Sequence, residues 1–199
     1  AIQYGNIARR LGLDVDWQAD AIFTRIKRDE AIATGQYTTA IKIISDRHPS
    51  LVSDPPQIVP GNVAQAVDLA YLKNLAGEKP EAERLLNLVL KAYDQPLFTA
   101  GSARAAVLPA RAEALALLGH PGAAMAELRR IVDQGWRVMW RWETELNANF
   151  IALREDSAFR ALIRRLEDDV TAQRAGIARS AARVDHGQAL ANNDRRTDR

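Results

Sequence analysis

A glycine that recurs at a fixed interval constrains the fold of this chain more than any other feature. Gly35, Gly77 and Gly119 are spaced 42 residues apart, and each stands between two stretches with helical periodicity. Five residues after each glycine comes an alanine, and nine residues after it comes a large aliphatic residue: Ala40, Ala82 and Ala124, then Ile44, Leu86 and Leu128. Self-similarity at a period of this size predicts an array of stacked helical repeats.

Each glycine predicts a sharp turn between two helices. A glycine just past a helix end adopts the left-handed conformation without a clash from a Cβ atom. The alanine lets two helix backbones approach closely, and the aliphatic residue one turn later fills the seam between them. One hairpin cannot bury its own apolar face, so neighbouring hairpins are expected to stack. The sequence therefore predicts an all-α fold: an α-solenoid of hairpins with a period of about 42 residues and a capping C-terminal helix.

Glycine and proline signals also predict the helix boundaries. The expected helices span residues 17–34, 36–47, 63–76, 80–92 and 157–174. The first helix of the third hairpin begins either near Leu108 or near Ser102 with a kink at Pro109, and that hairpin ends near Gln134. The first helix is expected to bury its apolar side chains, which are Ala21, Ile22, Ile26 and Ala33, with Phe23 beside them.

Composition and charge divide the chain into three parts. Residues 1–16 are interpreted as an upstream helical fragment or linker, 17–174 as the helical repeat domain, and 175–199 as a basic, flexible tail. The net charge is +2, but residues 174–199 carry +3, so the basic character belongs mainly to the tail. No apolar run has the length of a membrane span. The chain begins at Ala1 rather than Met, which we expect of a fragment or a processed form.

The first hairpin resembles a known repeat family. Gly35, Tyr37, Ala40 and Ile44 are similar to the turn and second helix of a tetratricopeptide repeat. The two later units keep the glycine, the alanine and the aliphatic residue. Because the family's usual period is 34 residues, the resemblance implies longer connections between the hairpins here.

The end of the repeat region carries a second resemblance. A Gly-Trp-Arg stretch at Gly135, followed by the apolar spacing from Phe150 to Leu166, is similar to the terminal unit of a bacterial group of repeat proteins. In that group the unit closes a tetratricopeptide array attached to adenylate-cyclase-like or winged-helix regulatory modules. The resemblance implies a protein-interaction or sensory module of a bacterial signalling protein, in the cytoplasm or periplasm. Neither regulatory module lies within these residues, so neither activity is assigned to this chain.

The resemblance also implies a binding face. Tetratricopeptide arrays line a concave surface with the first helix of each pair, and we expect that surface to bind a protein or peptide. Carrying those positions over residue by residue gives the candidate partner-binding residues Arg25, Asp29, Val67, Tyr71, Asn74 and Glu113. In that family, the site that binds a C-terminal carboxylate needs lysine and asparagine at several of these positions. Only Asn74 is a residue of this kind, so an acidic C-terminal peptide is not the expected ligand.

An aromatic segment leaves two interpretations open. Trp136, Trp140 and Trp142 alternate with Arg137 and Arg141. The last repeat of an array needs a capping element that covers its apolar face, and on one interpretation this segment covers the open end of the array. Aromatic and arginine side chains also stack on nucleobases. A nucleic-acid-associated protein that uses this segment and the arginine-rich tail is therefore the alternative function.

The sequence contains no pattern typical of an enzyme. The chain has no cysteine, and His48, His120 and His186 do not stand at metal-ligand spacing. No phosphate-binding glycine loop or nucleophile elbow occurs. We therefore expect no catalysis, no cofactor and no metal, while homo-oligomerisation is left open.

Overall fold

The described part of the chain is all-helical. The computed structural model describes residues 17–99, 103–137 and 139–197, and these contain no β-strand. The helices are α1 (Trp17–Thr34), α2 (Tyr37–Arg47), α3 (Val63–Leu75), α4 (Lys79–Ala92), α5 (Pro96–Thr99), α6 (Ala103–Leu117), α7 (Pro121–Asp133), α8 (Trp140–Glu143) and α9 (Ser157–Thr197). Two 3₁₀ segments, Pro49–Leu51 and Ala148–Leu153, lie between them. The predicted upstream fragment, residues 1–16, lies outside the described residues.

The three recurring glycines turn the chain as predicted. Gly35, Gly77 and Gly119 have φ angles of +73°, +90° and +79°, a region that side chains with a Cβ rarely adopt. Each glycine joins two helices, which gives the pairs α1–α2, α3–α4 and α6–α7. A substitution at any of these glycines would strain the backbone, although the space around each is open.

The helix pairs pack on each other in chain order. Helices α1 and α2 both contact α3, and helices α3 and α4 both contact α6. The predicted seam residues are confirmed, because every one of them is at most 4% exposed: Ala40, Ala82, Ala124, Ile44, Leu86 and Leu128. A second apolar cluster joins α6 and α7 to the 3₁₀ segment Ala148–Leu153 and the start of α9.

Helix α1 buries a different face from the one expected. Ile26 is 54% exposed and Ala33 is also exposed, whereas Arg25 and Arg28 are buried. The expectation of an apolar buried side was wrong at Ile26 and Ala33. The reason is that both arginines are paired with polar groups from distant elements. The buried face of α1 therefore combines these two charges with Ala31, which belongs to the first apolar cluster.

Two side chains near helix starts have different roles. Asp156 caps α9, since its carboxylate accepts a hydrogen bond from the Ala158 backbone N–H at 2.6 Å. Asn62 precedes α3 but does not cap it. Its side chain instead accepts from the Val59 backbone N–H at 2.9 Å and donates to the Gln57 carbonyl at 3.0 Å. Asn62 therefore stabilises the connection between α2 and α3, which contains Pro55, Pro56 and Pro60.

Helix α9 is longer than expected. A helix to residue 174, extended at most to about Val184, and a flexible remainder were expected, but the helix runs to Thr197. The tail is rich in alanine and arginine, which have high helix propensity, and contains no proline. Within the part of α9 whose side chains the structure describes, Phe159, Leu162 and Leu166 are buried in the second apolar cluster. Among the described helices, none combines the length and apolar character needed to span a membrane.

Candidate functional site

The six candidate partner-binding residues do not share one accessible surface. Arg25, Val67 and Glu113 are buried, whereas Asn74 is exposed. Asp29 and Tyr71 are half-buried. The structure brings Arg25 and Glu113 together inside the protein and leaves Tyr71 and Asn74 at the edge of a small cavity. The candidate site therefore has an inner part, which is enclosed, and an outer part, which is open.

The inner part is filled by the chain itself. Residues 140–153, called the closing segment here, contain α8 and the second 3₁₀ segment. The closing segment contributes polar groups that pair with side chains of α1, α3 and α6. The resulting inner polar cluster consists of Arg25, Arg28, Asp68, Glu113, Glu143, Asn147 and Asn149.

Arg28 is the most deeply buried member of this cluster, with no exposed area. Its Nη1 atom donates to Asp68 Oδ1 at 2.6 Å and to Asn147 Oδ1 at 2.9 Å. Its Nε and Nη2 atoms donate to Asp29 Oδ1 at 2.8 and 2.7 Å. A buried charge is tolerated when its donors are satisfied in this way. Arg28 thus connects the first helix pair to the second and to the closing segment.

Arg25 stands one helical turn earlier on the same face of α1. Its guanidinium lies 3.3 Å from Glu113, 3.6 Å from Asp68 and in direct contact with Glu143. The ring of Trp142 lies 5.2 Å from the guanidinium carbon, within the range of a cation–π interaction. Asp68, Glu113 and Glu143 therefore surround a single arginine side chain.

The two asparagines of the closing segment complete the hydrogen bonds. The Asn149 side chain donates to Asp68 at 3.0 Å and to Glu113 at 2.7 Å. Asn147 Oδ1, which accepts from Arg28, also accepts from the Asn149 backbone N–H at 3.1 Å. The 3₁₀ turn thereby places both asparagines against the inner faces of α1, α3 and α6.

Burial perturbs the ionisation of Glu113. Loss of solvent raises the pKa of Glu113 to about 7, while the attraction of Arg25 opposes the shift. Nearby Glu143 and Asp68 raise the pKa further, because several carboxylates share the two guanidinium groups of Arg25 and Arg28.

This shift predicts a pH dependence of folding stability. The ordinary pKa of a glutamate is 4.5, so between pH 4.5 and about 7 the folded state binds more protons than the unfolded state. Stability contributed by protonated Glu113 is therefore lost as pH rises through this window. We expect the free energy of unfolding, measured by urea denaturation, to fall more between about pH 5 and about pH 7.5 in the wild type than in Glu113→Gln. Glu30→Gln, at an exposed position, is the control. Equal losses of unfolding free energy in Glu113→Gln and the wild type would contradict the assignment of the pH dependence to Glu113.

The tryptophan and arginine segment makes internal contacts. Trp136 and Trp140 are buried in the second apolar cluster. Arg137 pairs with Asp169 of α9, and Arg141 lies 5.1 Å from the ring of Trp140. These aromatic faces and cations are engaged with the end of the helical array.

The outer part of the candidate site is a cavity of about 70 Å³ between α3, α4 and the end of α6. Tyr71 and Asn74 line it from α3, and Glu83 lines it from α4. None of these three side chains forms a hydrogen bond or ion pair with another described residue. The rest of the lining is apolar: Ala70, Ala82, Leu86, Leu117 and Leu118. Sequence reasoning found Tyr71 and Asn74 but missed Glu83, because Glu83 lies on the second helix of its pair.

Sequence reasoning also missed most of the inner polar cluster. Arg28 stands at a position where the tetratricopeptide resemblance would imply a small residue, and Asp68 is the one charge between the apolar residues Val67 and Leu69 of α3. Each anomaly was a signal of a buried ion pair, but neither indicated its partner.

The described residues contain no group of three or more histidine, aspartate or glutamate side chains arranged to hold a metal ion.

Comparison with protein-family models, with curated proteins and with solved structures gives no significant match for this chain.

Proposed function

We propose that this chain is a non-catalytic interaction scaffold, a tetratricopeptide-like solenoid that binds a peptide or protein segment. The binding surface is the part of the inner face that the closing segment leaves open, around Tyr71 and Asn74. The observation that carries the proposal is the cavity between α3, α4 and α6, where Tyr71, Asn74 and Glu83 have side chains without a hydrogen-bond or ion-pair partner among the described residues and stand beside apolar residues. Recognition sites in proteins commonly combine these two features.

The inner polar cluster supports a scaffold rather than a catalyst. Its ionisable groups pair with each other, and the cavity beside Arg25, Glu113 and Glu143 has a volume of only about 40 Å³. Pockets for small-molecule ligands usually measure roughly 300–1,000 Å³. The cluster therefore serves to hold the closing segment against the helix pairs. The setting in a bacterial signalling protein follows from the resemblance of the terminal unit.

Peptides selected from a random display library against the purified chain test this proposal. The double variant Tyr71→Ala/Asn74→Ala is expected to bind the selected peptides at least about fivefold more weakly, as truncation of central contact residues usually does. The matched control is Lys91→Ala/Gln173→Ala, since both residues are exposed and line neither cavity. Fluorescence anisotropy measures the affinities.

Two outcomes would contradict the proposal. One is a failure to select any peptide whose binding depends on Tyr71 or Asn74. The other is binding to single-stranded DNA that falls steeply with salt, because counterion release is the signature of a nucleic-acid-associated protein.

A further inference from the structure

We propose that the closing segment detaches from the inner face in a local opening that is linked to the release of a proton, while the helix pairs stay folded. The inference goes beyond the proposed function, because it concerns how the inner face is uncovered rather than what binds to the outer cavity. Two features of the described residues carry it. The segment docks where carboxylates outnumber cations, and the apolar core of the first helices does not include the segment.

The inner polar cluster has three carboxylates and two guanidinium groups. On the helices, Asp68 and Glu113 face the two arginines of α1, so these charges balance. The closing segment adds the carboxylate of Glu143, which contacts Arg25, and contributes no cation to the cluster. Asp29, at the edge of the cluster, adds further negative charge. Because a buried charge without a counterion is costly, the closed segment favours a protonated carboxyl group in the cluster.

Glu113 is the carboxyl group that takes up this proton. The charged and titratable groups that face it come from every element packed against it: Arg25 from α1, Asp68 from α3, Glu143 from the closing segment and Tyr93 from the connection between α4 and α5. Burial raises the pKa of Glu113 to about 7, Arg25 opposes this shift, and Glu143 and Asp68 add to it. Burial and the charge of Glu113 also raise the pKa of Tyr93, so its phenol stays neutral.

Opening reverses the conditions that raise this pKa. It returns Glu113 to solvent and removes Glu143, so the pKa of Glu113 falls towards its ordinary value of 4.5 and the proton is released. The closed state therefore binds more protons than the open state between pH 4.5 and about 7. Opening becomes more favourable as the pH rises through this window and levels off above it.

The arrangement of the apolar clusters makes the opening local. The described residues of the first apolar cluster all lie between residues 31 and 118, so that core does not depend on the closing segment. The segment is anchored through Trp140, Phe150 and Leu153 in the second cluster. On its polar side, Arg25 Nε and Asn149 Oδ1 are buried without a hydrogen-bond partner among the described residues. Both atoms would gain hydrogen bonds to water on opening, which lowers the cost of detachment.

The opening would uncover two of the candidate partner-binding residues. Arg25 and Glu113 are enclosed when the segment is closed. Their exposure would extend the inner face beyond Tyr71 and Asn74. This consequence rests on the proposed function, whereas the opening itself does not.

Hydrogen–deuterium exchange of the full chain, followed by NMR, measures the opening. The backbone amides of Thr144 and Phe150 donate within the segment, to the carbonyl groups of Trp140 and Asn147. Their exchange rates are compared at about pH 5 and about pH 7.5, after correction for the intrinsic pH dependence of exchange. We expect the opening constant to rise at least about tenfold in the wild type, since one pKa unit corresponds to a factor of ten. No such rise is expected in Glu113→Gln.

Two variants within the closing segment form a matched pair. Glu143→Gln should reduce the rise, because the Glu143 charge adds to the pKa shift of Glu113. Glu145→Gln, two residues further on, should leave the rise unchanged, because Glu145 is exposed and pairs with Arg141 instead. This pair decides the question if Glu113→Gln does not fold.

Three results would overturn the inference. The first is a rise in Glu113→Gln equal to that of the wild type, and the second is an equal reduction in Glu145→Gln and Glu143→Gln. The third is exchange at Thr144 and Phe150 only with the free energy of global unfolding that urea denaturation gives at the same pH. Peptide binding does not enter these measurements, so a failure of the proposed function would leave their outcome unchanged.

Discussion

Arg28→Ala is expected to lower the free energy of unfolding by about 3–5 kcal/mol, the usual cost of removing one partner of a buried ion pair. The substitution leaves the Asp68 carboxylate buried without its closest cation, which lies 2.6 Å away in the wild type. It also removes the donor that binds the Asn147 side chain at 2.9 Å. Urea denaturation followed by circular dichroism measures the loss.

Two further variants separate the buried charge from a general effect of truncation. Lys42→Ala removes an exposed ion pair with Asp46 on α2 and should cost less than about 1 kcal/mol. Adding Asp68→Asn to Arg28→Ala should restore part of the lost stability, because the uncompensated charge disappears. A double variant less stable than Arg28→Ala would contradict this account of the inner polar cluster.

Phe150→Ala is expected to cost about 3–5 kcal/mol, the range for deleting a buried aromatic ring. Phe150 is fully buried and packs against Phe159 of α9, with ring centroids 6.0 Å apart. It belongs to the same 3₁₀ segment as Asn149, so it anchors the closing segment from the apolar side. The measurement is the same urea denaturation.

The controls for Phe150→Ala lie within the same chain. The next residue, Ile151, is 56% exposed, so Ile151→Ala should change stability by no more than about 0.5 kcal/mol. Removing residues 188–199 should cost almost nothing, since the residues of α9 in the second apolar cluster, Phe159, Leu162 and Leu166, all precede the deleted segment. If Phe150→Ala costs no more than Ile151→Ala, the closing segment is not part of the core.

The hairpins were predictable because their signals are local. Gly77 must adopt a positive φ, and Ala82 and Leu86 follow it at spacings that put both on the buried side of one helix. The cavity itself was not predicted, but Tyr71 and Asn74, which line it, were predicted as binding residues through the resemblance. Glu83 was not, because its place in the cavity depends on how α4 packs beside α3 and α6.

The sequence by itself determined an all-helical chain with three glycine turns and the seam residues that follow them. Only the tertiary structure decided that the inner face of the first helix is charged and closed. Arg28 meets Asp68 and Asn147, which are 40 and 119 residues away in sequence. Periodicity reports which side of a helix is apolar, but the burial of a charge depends on the partners that folding brings to it. Those partners come from separate elements, and no local pattern specifies their pairing.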